Sequence, residues 1–280
     1  MVTNQMPAAV TASLTDITPS ERFFFESNGY LVLENFLSDE HVARLQVALD
    51  RVITQRRAQQ QVAIPHTGMT RLVGARSTRI FYILDDDPLF LELLDWPAMM
   101  TYVRALLNPK PHHHASDAIV EYATDMVERG PGWHLDGHDN GYRNLGHPIP
   151  LLQLKLGYYL TDMREPGQGN LTIIPSSHKA AIEPAPADLK RRDLFPGALE
   201  VCAPAGSAIL FHNALWHTAG IFRKPESRRV ILYYAYEHPW MVASQEHWSY
   251  PNAFYNERLS PEQRKLFHGF VFDPPEARWG

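Results

Sequence analysis

Val230-Ile231-Leu232-Tyr233-Tyr234-Ala235-Tyr236 is the last of a series of short apolar runs. Upstream lie Ala118–Tyr122, Leu151–Leu160, Leu171–Ile174 and Ala208–Phe211, separated by turns rich in Gly, Pro and Asn. Short strands at such regular spacing predict a sandwich, jelly roll or barrel. Before Pro109 the pattern is helical. In Thr18-Pro19-Ser20-Glu21, Thr18 can cap, Pro19 suits the first turn and Glu21 can close a capping box. Asn28-Gly29 ends that helix, and Tyr30–Leu33 reads as a strand. Ser38 caps a longer helix with Val42, Leu45, Leu49 and Val52 on one face. Its end, Gln55–Gln61, reads as a solvated face. More helix runs from Asp87-Pro88 to about Leu107, broken at Trp96-Pro97, and a last capped helix starts at Ser260-Pro261-Glu262-Gln263. The expectation is a mainly β chain with flanking helices, disordered over residues 1–17 and a single domain over 18–280.

Composition narrows the function classes. The 280 residues carry a net charge of −5, so there is no basic field to collect nucleic acid. The single cysteine, Cys202, excludes an intrachain disulfide and a multi-cysteine zinc site, and reads as a small filler. No apolar run reaches the roughly 18 residues of a membrane span. The first twenty residues hold no Lys or Arg, so no signal peptide is expected and a cytoplasmic location is. What stands out is the 14 histidines.

In Trp133-His134-Leu135-Asp136-Gly137, alternation along a strand puts His134 and Asp136 on one face. An imidazole beside a carboxylate is two-thirds of the facial triad that holds Fe(II) with three positions open. The same pattern also occurs as a plain polar pair at a strand end. A third ligand is available in His217, and Arg228 follows eleven residues later at the start of the Val230 run. An antiparallel hairpin would bring Arg228 beside the metal-bearing strand. Its guanidinium would grip a distal carboxylate there, which 2-oxoglutarate requires. Arg229, by alternation from Arg228, is expected on the opposite face. His112-His113-His114 reads as a solvated loop, and His212 and His178 as structural hydrogen-bonding residues. The Arg71, Arg76 and Arg79 cluster could meet an anionic group but reads first as solvated surface.

These residues resemble the phytanoyl-CoA dioxygenase family of Fe(II)- and 2-oxoglutarate-dependent oxygenases, over about residues 22–240. Phe25-Glu26-Ser27-Asn28-Gly29-Tyr30-Leu31-Val32-Leu33 is similar to the family's opening helix, glycine and strand. Leu171-Thr172-Ile173-Ile174-Pro175-Ser176-Ser177-His178-Lys179 resembles its Pro-Gly-Ser-His-Lys segment, with Ser176 in place of Gly. The resemblance implies a double-stranded β-helix (a cupin-like jelly roll) and His134, Asp136 and His217 as iron ligands. It also implies Arg228 as the 2-oxoglutarate anchor, with O2 consumed and succinate and CO2 released. Ala219 departs from the small hydroxyl residue usual two places after the distal His, leaving a second anchor unnamed. The expected reaction is oxidation, foremost hydroxylation, of a C–H bond in a small-molecule substrate. Gly137–Pro148 is expected as a substrate-facing lid, with His138, Tyr142, Arg143 and His147 as recognition groups. The alternative class is a cupin-like zinc hydrolase or a non-enzymatic binding protein.

Overall fold

The computed structural model describes residues 17–58, 70–126, 132–137, 145–190, 195–241 and 250–267. The expected disorder of residues 1–17 falls outside these, apart from Ile17. Helix α1 (Pro19–Asn28) has the capping box read from Thr18 and Glu21, and Gly29 closes it at φ 81. Strand β1 (Tyr30–Leu33) follows, then α2 (Asp39–Ala58). Strands β2 (Thr70–Leu72) and β3 (Thr78–Phe81) lead into α3 (Pro88–Glu92) and α4 (Pro97–Leu106). The later strands are β4 (His112–Tyr122), β5 (Gln153–Tyr159), β6 (Leu171–Ile173), β7 (Leu199–Glu200), β8 (Ala208–His212), β9 (His217–Ala219) and β10 (Arg228–Glu237).

The strands form two antiparallel sheets, ordered β1-β8-β5-β10-β4-β3-β2 and β7-β6-β9. This is the expected double-stranded β-helix. The large sheet is covered on both faces, which explains why β10 reads as an unbroken apolar run. Val230, Leu232, Tyr234 and Tyr236 pack toward the helices with Leu45, Leu49, Phe90, Leu94 and Val103. Tyr234 and Tyr236 are anchored there by donating to the Phe90 and Leu94 carbonyls. The alternate residues Arg229, Ile231, Tyr233 and Ala235 face the space between the sheets. No helix among the described residues is long and apolar enough to cross a membrane.

Two expectations about solvated segments are corrected. His112, His113 and His114 are buried at the start of β4. A bulge lets Ala235 pair with Ala115 while Tyr236 pairs with His113, so His114 is the extra residue. Nδ1 of His112 and of His114 meet the fully buried Glu237 carboxylate at 3.2 and 2.8 Å. That acceptor sits on β10, 123 to 125 residues away in sequence. The end of α2 is likewise not all solvated. Arg56 is buried, ion-paired with Asp86 at 2.5 Å and bonded to the Phe81 carbonyl.

Candidate active site

His134 and His217 are neighbours across a bridge, each amide donating to the other's carbonyl at 3.0 and 3.1 Å. Their ring centroids lie 4.2 Å apart. In each ring Nδ1 faces a main-chain carbonyl, Gly132 O at 2.6 Å for His134 and Leu215 O at 2.8 Å for His217. A carbonyl only accepts, so Nδ1 carries a proton in both rings and Nε2 is the nitrogen that faces the site. Both Nε2 atoms turn toward Asp136, 3.7 Å from Oδ1 and Oδ2 respectively. Asp136 is fixed by its amide donating to Asn213 O at 2.9 Å, and Gly137 takes the turn at φ 75.

One donor atom from each of His134, Asp136 and His217 lies within 4.8 Å of the others. Burial holds His217 neutral, with its pKa lowered to about 4. Burial pushes the Asp136 carboxyl up, but Lys155, His217 and His134 outweigh it and hold it well below the usual carboxylate range. Two imidazole Nε2 atoms and an ionised carboxylate on one side of a point are a donor set that fits a divalent metal with open positions. The hydrogen bonds to Gly132 and Leu215 orient the rings for it.

The triad opens into a cavity of about 500 Å³ between the sheets. Its wall carries Arg229 and Tyr233 of β10, Asp117 and Glu121 of β4, Lys155 of β5, and Arg71 and Arg79 of β2 and β3. Arg229 is buried, pairs with Glu121 at 2.9 Å and donates to Gly169 O at 2.7 Å, while its Nε has no partner. Asp117 pairs with Arg79 at 3.3 Å, and burial pushes its pKa up.

Arg228 was expected in this cavity and Arg229 outside it; the structure has the reverse. Arg228 shares the helix-facing side of β10 with Val230, so it meets Asp50 of α2 at 2.6 Å and lies over the Tyr122 ring. Arg71, exposed as expected, and the partly exposed Arg79 border the cavity from the surface, whereas Arg76 stacks on Tyr122 at 3.8 Å. His138, Tyr142 and Arg143 lie outside the described residues. His147 is exposed and borders a small separate recess with Leu135, Ile149 and Trp216. His212 accepts from the Ala214 amide and lies against His178, whose Nε2 meets Glu26 O at 3.2 Å. Lys155, Asp117 and Glu121 were not singled out from sequence. The visible signal was a lone charge in an apolar run, as with Lys155 between Leu154 and Leu156.

Comparison with known proteins bears on the family and the fold. The family model "Phytanoyl-CoA dioxygenase (PhyH)" matches residues 25–230. Peroxisomal phytanoyl-CoA dioxygenase of Rattus norvegicus is 21% identical over 244 residues, 75% of this chain and 66% of that protein. Ectoine dioxygenase of Bordetella parapertussis is 28% identical over 159 residues, 56% of this chain and 48% of that protein. The chain thus spans about two-thirds and one half of these relatives. HygX of Streptomyces hygroscopicus, solved with nickel, 2-oxoglutarate and hygromycin B, shares the fold at TM-score 0.64 and 18% identity, over 81% of this chain and 89% of HygX. With a family match over most of its length, the chain belongs to the phytanoyl-CoA dioxygenase family, whose members work with Fe(II), 2-oxoglutarate and O2.

Proposed function

We propose that this chain oxidises a C–H bond of a small organic molecule, foremost by hydroxylation. The observation that carries the proposal is one cavity holding both the His134–Asp136–His217 triad and the buried Arg229 guanidinium. Bound Fe(II) and 2-oxoglutarate would supply the oxidising chemistry with O2, releasing succinate and CO2. His134 and His217 would hold the metal through Nε2, and Asp136 through a carboxylate oxygen. Arg229, reassigned from Arg228, would take the distal carboxylate of 2-oxoglutarate. Its unpartnered Nε is a buried donor suited to an incoming carboxylate. A guanidinium poised for a dicarboxylate has no use in a zinc hydrolase. His217 and Arg229 form the buried side of the cavity, while His134 stands half exposed on its open side. HygX with hygromycin B supports a small-molecule substrate for this fold.

The test is spectroscopic. Anaerobic addition of Fe(II) and 2-oxoglutarate should produce a weak visible band in the wild type, lost in His217→Ala and Asp136→Ala. A silent wild type would sink the reading. Screening metabolites for stimulated succinate formation then identifies the substrate.

A further inference from the structure

Lys155 sits on β5, inside the large sheet, its backbone paired with Phe211 of β8 and Ala235 of β10. Its side chain points into the cavity, only 14% exposed, and its Nζ lies 3.7 Å from Asp136 Oδ2. His217 Nε2 lies the same 3.7 Å from that oxygen. Lys155 and a metal would therefore compete for one carboxylate. Asp117 is a second acid that feels the charge of Lys155, and it already faces Arg79 at 3.3 Å.

The charges add up unfavourably for a metal alone. Two neutral imidazoles, one carboxylate and a divalent ion carry a net +1, and Lys155 raises this to +2 in a buried place. Like charges held out of water repel strongly. An anion that chelates the metal reverses the balance, because a dianion cancels that excess and gives the ammonium a new partner.

We propose that Lys155 is a coupling residue, holding Asp136 in the metal-free site and making metal and dianion bind tightly only together. This rests on the metal reading above. Linkage requires the effect to be reciprocal, so whatever factor the dianion adds to metal affinity, the metal adds to dianion affinity. The consequence is a centre that resists capturing free divalent metal and closes on it when the cosubstrate is present.

The experiment uses the full chain, Mn(II) as the metal and N-oxalylglycine as an unreactive dianion, both followed by calorimetry. Wild type is compared with Lys155→Met, Lys155→Gln and Lys155→Arg, with thermal melts of each to establish folding. The neutral variants should bind Mn(II) alone at least tenfold tighter. Once loaded with Mn(II), they should bind N-oxalylglycine at least tenfold more weakly. Lys155→Arg should stay near wild type in both. Weaker or unchanged Mn(II) binding in the neutral variants would overturn the proposal, because Lys155 would then be a prop for Asp136 or an ordinary anion contact. Unchanged N-oxalylglycine affinity would overturn it equally. His217→Ala separates the two ideas: if that variant binds Mn(II) like wild type, the metal reading itself fails, whatever Lys155 does.

Discussion

Replacing Arg229 by Ala removes a buried cation from Glu121 and from the proposed cosubstrate subsite together. Loss of such a desolvated charge contact costs about 2–5 kcal/mol. The apparent 2-oxoglutarate constant should rise about 25-fold or more, at about 1.4 kcal/mol per decade. Arg228→Ala removes the pair with Asp50 and the contact with the Tyr122 ring, both outside the cavity, and should change that constant less than about twofold. Titration of 2-oxoglutarate against succinate formation in both variants checks the assignment, and the opposite ranking would restore Arg228. The sequence could not settle which arginine faces inward. Both faces of Val230–Tyr236 are apolar, so alternation alone does not reveal which parity meets the cavity. Counting from His217 crosses the turn after Ala219, where the phase is lost. His134 and Asp136, by contrast, were legible because their two-residue spacing is local.

At the scale of the element, the bulge in β4 gathers groups whose protonation is tied to folding. His113 on this strand and His212 on β8 are buried, and burial lowers each pKa to about 3. Both imidazoles therefore stay neutral in the folded chain, whereas the unfolded chain takes up protons below its ordinary value of about 6.5. Their contribution to stability is full above that value and is lost as pH falls from about 6.5 toward about 3. At pH 5 each costs about 2 kcal/mol relative to pH 7.5. Burial raises Glu237, but hydrogen bonds from His112 and His114 outweigh it and lower it to about 2. Its contribution is lost further down, as pH falls from about 4.5 toward about 2. The melting temperature should therefore fall from pH 7.5 to pH 5, with a shallower slope in His212→Asn. A flat profile in the wild type would contradict the burial argument. None of this was legible in His112–His114 alone, because the acceptor that lets them be buried belongs to a strand at the far end of the chain.

At the scale of the whole molecule, two motifs read separately in the sequence prove to be one joint. The end of α1 receives the Ser176 amide on Asn28 O at 2.8 Å and the Ser176 hydroxyl on Ser27 O at 2.9 Å. Gly29 O accepts the His212 amide at 2.9 Å, tying the same corner to β8. A side chain on Gly29 would meet His178 Nδ1 at 2.5 Å and Leu215 at 2.8 Å, on a backbone already at φ 81. Gly29→Ala should therefore destabilise the chain by about 1–3 kcal/mol, read as a lowered denaturation midpoint. The helix stop at Asn28-Gly29 and the Pro175–Lys179 turn were each visible from residue type. That they touch was not, because nothing local encodes a contact between segments some 150 residues apart.

The hydrogen-bonded ladder of β10 also acts as a gauge. Arg229 stands near one end of the strand's inward face, and six residues on Ala235 pairs with Lys155, whose Nζ lies 3.7 Å from Asp136. Backbone pairing to β4 and β5 fixes the two points from which the Arg229 and Lys155 side chains converge on a guest. A keto acid with one carbon fewer or one more could reach one end but not both. Oxaloacetate and 2-oxoadipate should each support turnover at least tenfold less efficiently than 2-oxoglutarate, in line with the roughly 10–200-fold cost of a single misplaced methylene. Equal use of the three acids would mean that the two ends are not read together.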